Sequence, residues 1–144
     1  MERLETVIGF LEAIFPSSLA FPSDPTGLQI KGQDQVEKIL VALELNPRVF
    51  RQAITENYDF LYLHHPPIWE PITSLSIDDP WLSMLGELYH QKVSILAHHT
   101  NLDSAKNGLA EQWIKILSLE GKIQPLEPHS LRQFKVVTFV PPSH

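Results

Sequence analysis

Three short apolar runs constrain this chain more than any other feature of it: Ile39 to Leu43, Phe60 to Leu63 and Val93 to Ala97. A nearly continuous run of that length is what a strand buried on both faces shows, whereas a half-exposed strand would alternate. Helical signals lie between the runs. Asn46-Pro47 supplies an N-cap followed by proline in the first turn, and Val49, Phe50, Ala53 and Ile54 form an inward stripe behind it. Trp81, Met84, Leu85 and Leu88 make a second stripe ahead of the third run, and Leu109, Trp113, Ile116 and Leu117 a further one before Gly121. Strands alternating with helices predict an α/β fold with a mostly parallel sheet flanked by helices.

Ahead of this core, Leu4, Val7, Ile8, Leu11 and Ile14 recur at helical spacing until Pro16 ends the pattern. Residues 16–27 read as a loop, Leu28 and Ile30 as a short strand, and Gly32 to Asp34 as a turn. Phe134 to Val140 reads as one more strand, yet the sequence stops four residues later at His144. The fold is therefore expected to be truncated before its C-terminal part, with 1–144 a single α/β metal-binding domain.

Charge and composition narrow the function. With 11 Lys+Arg against 17 Asp+Glu the formal charge is −6, and no stretch concentrates basic residues, so a nucleic-acid partner is not expected. The absence of cysteine excludes disulfides, thiolate metal sites and thiol catalysis, which leaves imidazole and carboxylate as the strong ligands. Glu2, Glu5 and Glu12 interrupt the apolar N-terminus, as a secretory segment or a spanning helix would not tolerate. A cytoplasmic location without a membrane partner is the expectation.

Two of the apolar runs end in histidine pairs, His64-His65 and His98-His99. Seven histidines placed at random in 144 positions would give about 7 × 6/144, or roughly 0.3, adjacent pairs against the two observed. In parallel α/β sheets ligands bind just beyond the carboxyl ends of the strands, where both pairs fall. Successive residues leaving a strand point to opposite sides, so His64 and His65 suit two ions a few ångströms apart, or one ion and an outer role. His99 and Asp103 are four apart, and a helical turn there would bring imidazole and carboxylate to one side. Nitrogen and oxygen ligands of this kind accept zinc, iron, manganese, nickel or cobalt.

The plainer alternatives are structural. A lone buried histidine is more often a hydrogen-bonded core residue, and His90, His129 and His144 read that way or as exposed. For His98 both site and packing stand open, and Asp103 beside Ser104 could cap a helix instead. Trp69, five residues after His64, could wall the pocket or sit in the core. Asp24 and Glu44 are candidates for orienting groups, with loop capping as the alternative. No G-x-S-x-G elbow, Walker loop or G-x-G-x-x-G occurs.

Three stretches carry a family resemblance: Asp24 with Gly27-Leu28-Gln29-Ile30, then His64-His65-Pro66-Pro67-Ile68-Trp69, then His99-Thr100-Asn101-Leu102-Asp103. With them the chain resembles the dinuclear-metal family of GTP cyclohydrolase 1 type 2 homologues, the Nif-three-like family, along nearly its whole length. The resemblance implies two divalent metal ions (zinc, iron or manganese) held by His64, His65 and Asp103 with His99 close by, a later His and Glu completing the site. Those two have no counterpart in this sequence. Ser23-Asp24-Pro25 also stands where the family usually has Trp-Asp-Asn, and a small residue is commoner where His98 stands. The resemblance further implies a homo-oligomer, a hexameric ring, and a small-molecule or nucleotide substrate. Two functions follow as expectations: a dinuclear-metal-dependent hydrolase, or a non-catalytic metal-binding regulatory or assembly protein. From the residues alone, metal-assisted hydrolysis is as far as the chemistry reaches.

Overall fold

Asn46 and Asp79 each stand immediately before a proline, and each starts a helix as that position predicts. The Asn46 side chain accepts from the backbone N–H groups of Arg48 and Val49, both at 3.0 Å. Asp79 accepts from Trp81 at 2.8 Å and Leu82 at 3.2 Å. The computed structural model describes residues 1–121. In chain order its elements are β1 (Glu2–Arg3), α1 (Leu4–Ile14), a 3-10 turn (Ser17–Leu19), β2 (Gly27–Ile30), β3 (Gln35–Val36) and β4 (Ile39–Ala42), then α2 (Pro47–Thr55), β5 (Phe60–Leu63), α3 (Pro80–His90), β6 (Ser94–Ala97), α4 (Thr100–Ser104) and α5 (Leu109–Ile116).

The main sheet has the order β2-β6-β5-β4. β4 with β5 and β5 with β6 run parallel, while β2 joins β6 antiparallel with an irregularity between Leu28 and Ile30. Because successive side chains on a strand face opposite ways, the sheet supplies two cores. On one face Leu61, Leu63 and Ile95 pack with Ala53 of α2 and with Leu85 and Leu88 of α3. On the other, Phe60 and Leu96 meet Leu4, Val36 and the α1 stripe of Val7, Ile8 and Leu11. The mostly parallel α/β architecture is thus as the sequence predicts.

Two features differ from the sequence reading. Among the described residues β4 is not buried on both faces but lies at the sheet edge, leaving Ile39 and Val41, and Leu43 just beyond it, at 43%, 68% and 59% exposure. An apolar run identifies a strand without saying where in the sheet it sits. β1 and β3 also form a two-residue antiparallel ladder, Glu2 opposite Val36 and Arg3 opposite Gln35, too short for any periodicity to announce. The strand expected at Phe134 to Val140 lies outside the described residues. Among the described residues no helix is long and apolar enough to cross a membrane.

Candidate metal centre

β5 and β6 end level, Leu63 registered against Ala97, so the residues after each strand leave the sheet at one place. His98 N–H still bonds the Leu63 carbonyl at 3.0 Å, and His65 N–H the Leu43 carbonyl at 2.8 Å. Strand alternation does not separate His64 from His65 as expected. Both lie past the last residue of β5, where the chain bends, and their rings tilt towards each other with centroids 5.0 Å apart. His99 joins them at 5.1 Å from His64 and 5.7 Å from His65. One ring nitrogen from each of the three lies within 4.8 Å of the others. That span accommodates a single ion after small ring rotations, or a pair about 3.5–4 Å apart.

What holds the rings decides which nitrogens remain available. His64 Nδ1–H donates to the His98 carbonyl at 3.1 Å, and His65 Nδ1–H to Glu44 Oε2 at 3.4 Å. His99 Nδ1–H donates to Asp24 Oδ1 at 2.7 Å. A carbonyl or carboxylate can only accept, so a neutral ring so bonded carries its proton on Nδ1 and leaves the Nε2 lone pair free. Asp103 lies beside the cluster, its Oδ1 3.8 Å from His64 Nε2. α4 puts it there: His99 precedes the helix and its carbonyl accepts from Asp103 N–H at 3.3 Å. Burial pushes the Asp103 carboxyl above its ordinary value, against the pull of His64 and His99. All three rings are paired with carboxylates, Asp103, Glu44 and Asp24, so the surroundings favour a cation.

Asp24 proves to be more than a loop cap. Its side chain is 3% exposed and accepts from His99, from Thr100 N–H at 3.0 Å and from the Thr100 hydroxyl. Burial would raise its carboxyl, but these bonds from Thr100 and His99 outweigh it and hold the group below its ordinary value. Thr26 tightens the same loop, its hydroxyl 2.9 Å from the Ala97 carbonyl and 3.0 Å from Asn101 Oδ1. Gly27 follows at φ 105°, a conformation that glycine adopts without penalty, and the chain turns into β2.

His98 belongs to packing. It is fully buried on the α1 side, with Nε2 3.1 Å from Glu12 Oε1 and Nδ1 3.1 Å from the Tyr62 hydroxyl. Burial, then the Glu12 charge, pushes the Tyr62 phenol up to about 12, so it keeps its proton and donates to Nδ1. Burial also pushes the His98 imidazole down despite Glu12, so the neutral ring donates from Nε2 to the carboxylate. The sequence reading has Glu12 only as a charge within the N-terminal helix and Tyr62 only as part of an apolar run, with no contact to His98 expected of either. The one available signal is that Glu12 lies four residues after Ile8, on the face of α1 where an apolar residue would be expected.

The site so defined is a three-histidine cluster rimmed by carboxylates at the strand tips of a mostly parallel sheet. The family model of Duf34/NIF3 (NGG1p interacting factor 3) matches residues 2–141, and the chain belongs to that family. A GTP cyclohydrolase 1 type 2 homolog from Halalkalibacterium halodurans is 31% identical over 142 residues, covering 97% of this chain and 38% of the relative. One from Methanocaldococcus jannaschii is 30% identical over 131 residues, 90% of this chain and 52% of the relative. Among solved structures, reduced HcgD from Methanocaldococcus jannaschii superposes with a TM-score of 0.79 at 31% identity, covering 87% of this chain and 50% of that one. A Bacillus cereus protein related to NIF3 gives 0.77 at 28% identity, covering 82% and 33%. The chain therefore spans between a third and about half the length of these proteins.

Proposed function

We propose that this chain carries the ligands of a dinuclear-metal-dependent hydrolase, with His64, His65, His99 and Asp103 holding two divalent ions. The observation that supports this most is that all three Nδ1 atoms are bonded to oxygen acceptors, which leaves three Nε2 lone pairs at one cluster. The donor set of imidazole and carboxylate, without sulfur, fits zinc, iron or manganese. Bound there, such ions supply Lewis acidity, which polarises a carbonyl or phosphoryl oxygen and lowers the pKa of water towards neutrality. The chain's own part is to hold the rings by their far nitrogens and to fix Asp103 beside them through α4.

A nucleotide or other small molecule is the substrate class of this reading, after the GTP cyclohydrolase 1 type 2 homolog name that the relatives bear. A cytoplasmic homo-oligomer, a hexameric ring, completes it. The test is calorimetric metal titration followed by a screen of nucleotide and phosphoester hydrolysis. Metal-dependent turnover that disappears in His64→Ala and Asp103→Ala is the expected result. Micromolar metal binding without turnover would instead make this a regulatory or assembly protein, and unchanged metal content in both variants would remove the basis of either reading.

A further inference from the structure

Beside the histidine cluster lies a cleft of about 460 Å³, within the range of small-molecule sites. Trp69 connects the two: it lines the cleft, and its ring stands edge-to-face on His99 with centroids 5.3 Å apart and planes at 89°. Trp69 is 54% exposed, yet the chain that carries it is pinned. Pro66 and Pro67 are buried, Ile68 packs on the main core, and Ile68 N–H donates to Gln29 Oε1 at 3.2 Å. Gln29 is itself tied to the Pro25 carbonyl at 2.8 Å. Trp113 is similarly exposed at 52%, but no cluster histidine stands against it. A rigidly mounted aromatic surface in contact with a metal-ligand histidine is suited to stacking.

The rest of the lining sets the chemistry. Trp81 and Leu85 give apolar walls, while Glu70, Thr73 and Ser74 contribute oxygen, and among the described residues no lysine, arginine or histidine lines the cleft. Asp79 is already engaged in capping α3. Such a cleft lacks the cations that an anionic ring would need and offers acceptors to N–H groups. We infer that this cleft is the subsite for a planar ring bearing N–H donors, the part of the substrate next to the group that reaches the histidine cluster. The inference rests on the proposed metal-site function for the direction in which the substrate points, and not for ring binding itself.

Nicotinamide, nicotinate and cyclohexanecarboxamide serve as probes, titrated by ligand-observed NMR against the whole chain stripped of metal. Nicotinamide is expected to bind roughly tenfold or more tightly than the saturated amide, since stacking supplies that margin. Nicotinate, lacking the N–H donors, should bind more weakly than nicotinamide. Trp69→Phe should retain nicotinamide and Trp69→Leu should lose roughly tenfold or more, with circular dichroism showing both variants folded. Equal binding of the planar and saturated amides, no binding of any probe, or full retention in Trp69→Leu would overturn the inference. So would sedimentation showing a self-associated chain that Trp69→Leu dissociates, because a second copy would then cover the cleft. A zinc titration of the same sample separates the two proposals: zinc binding lost with nicotinamide retained sinks the metal reading alone, and the converse sinks only this one.

Discussion

Replacing Asp24 with asparagine exchanges one carboxylate oxygen for an NH2 group and tests how the proposed metal centre is held. Asp24 Oδ2 takes both bonds from Thr100, and Oδ1 takes the bond from His99 Nδ1 at 2.7 Å. Asparagine has one acceptor oxygen. If that oxygen faces Thr100, the amide NH2 faces His99 and asks Nδ1 to accept. The imidazole proton then moves to Nε2, the nitrogen a metal needs. If the amide is flipped, its N–H opposes the Thr100 N–H inside a loop whose Asp24 side chain is 3% exposed. Either way one charge-assisted bond is lost, worth about 1.5–3 kcal/mol. Loss of an outer carboxylate on a ligand histidine costs roughly 10- to 100-fold in metal affinity, or about 1.4–2.7 kcal/mol, so the two magnitudes agree. Calorimetric titration of zinc into the wild type and Asp24→Asn, with circular dichroism confirming a folded variant, reads the difference. Unchanged affinity in a folded Asp24→Asn protein would show that His99 is oriented by something other than this carboxylate.

The Glu12 carboxyl is held below its ordinary 4.5, burial being outweighed by bonds from Ser17 and His98. The unfolded chain therefore binds this proton more readily, and the stabilisation, present above 4.5, is lost as pH falls below it. Urea unfolding from about pH 6 to about pH 3 should show a flatter stability profile in Glu12→Gln, and parallel profiles would rule the pairing out. Phe60 has no exposed surface, so Phe60→Ala should lose about 3–5 kcal/mol in the same assay. Against a total of about 5–15 kcal/mol for ordinary domains, that places the variant near unfolding at room temperature. At Gly32 a Cβ would fall 2.0 Å from the Lys92 carbonyl oxygen and 2.4 Å from its carbon, so Gly32→Ala should cost about 1–3 kcal/mol or more, and a neutral result would mean that this approach relaxes.

The parts legible in the sequence are those fixed by local chemistry. Asn46 declares its helix because a short polar side chain before proline, followed by an apolar stripe at helical spacing, is placed to cap, and the histidine pairs are placed because a buried strand must end before a polar pair begins. Which strand lies at the edge is a property of the whole sheet, so Ile39 to Leu43 reads like Phe60 to Leu63 although three of its side chains face outward. β2 reads as a strand, but its antiparallel pairing with β6 joins residues far apart in the chain. The meeting of His64 and His65 on one side depends on a backbone bend after β5 that alternation does not encode. Glu12, His98 and Tyr62 come together from three elements, and no spacing announces such a contact.

The level ending of β5 and β6 has a bearing on how this centre can change. A strand can slide against its neighbour without turning its side chains over only in steps of two residues, about 6.6 Å. That step exceeds the 4.8 Å within which the three ring nitrogens now gather. Intermediate geometries are closed to the ladder, so the cluster is inherited in whole or forfeited in whole. Substitutions can retune the groove around the histidine cluster and the carboxylates behind the rings, but the pleat itself acts as a ratchet on the three imidazoles.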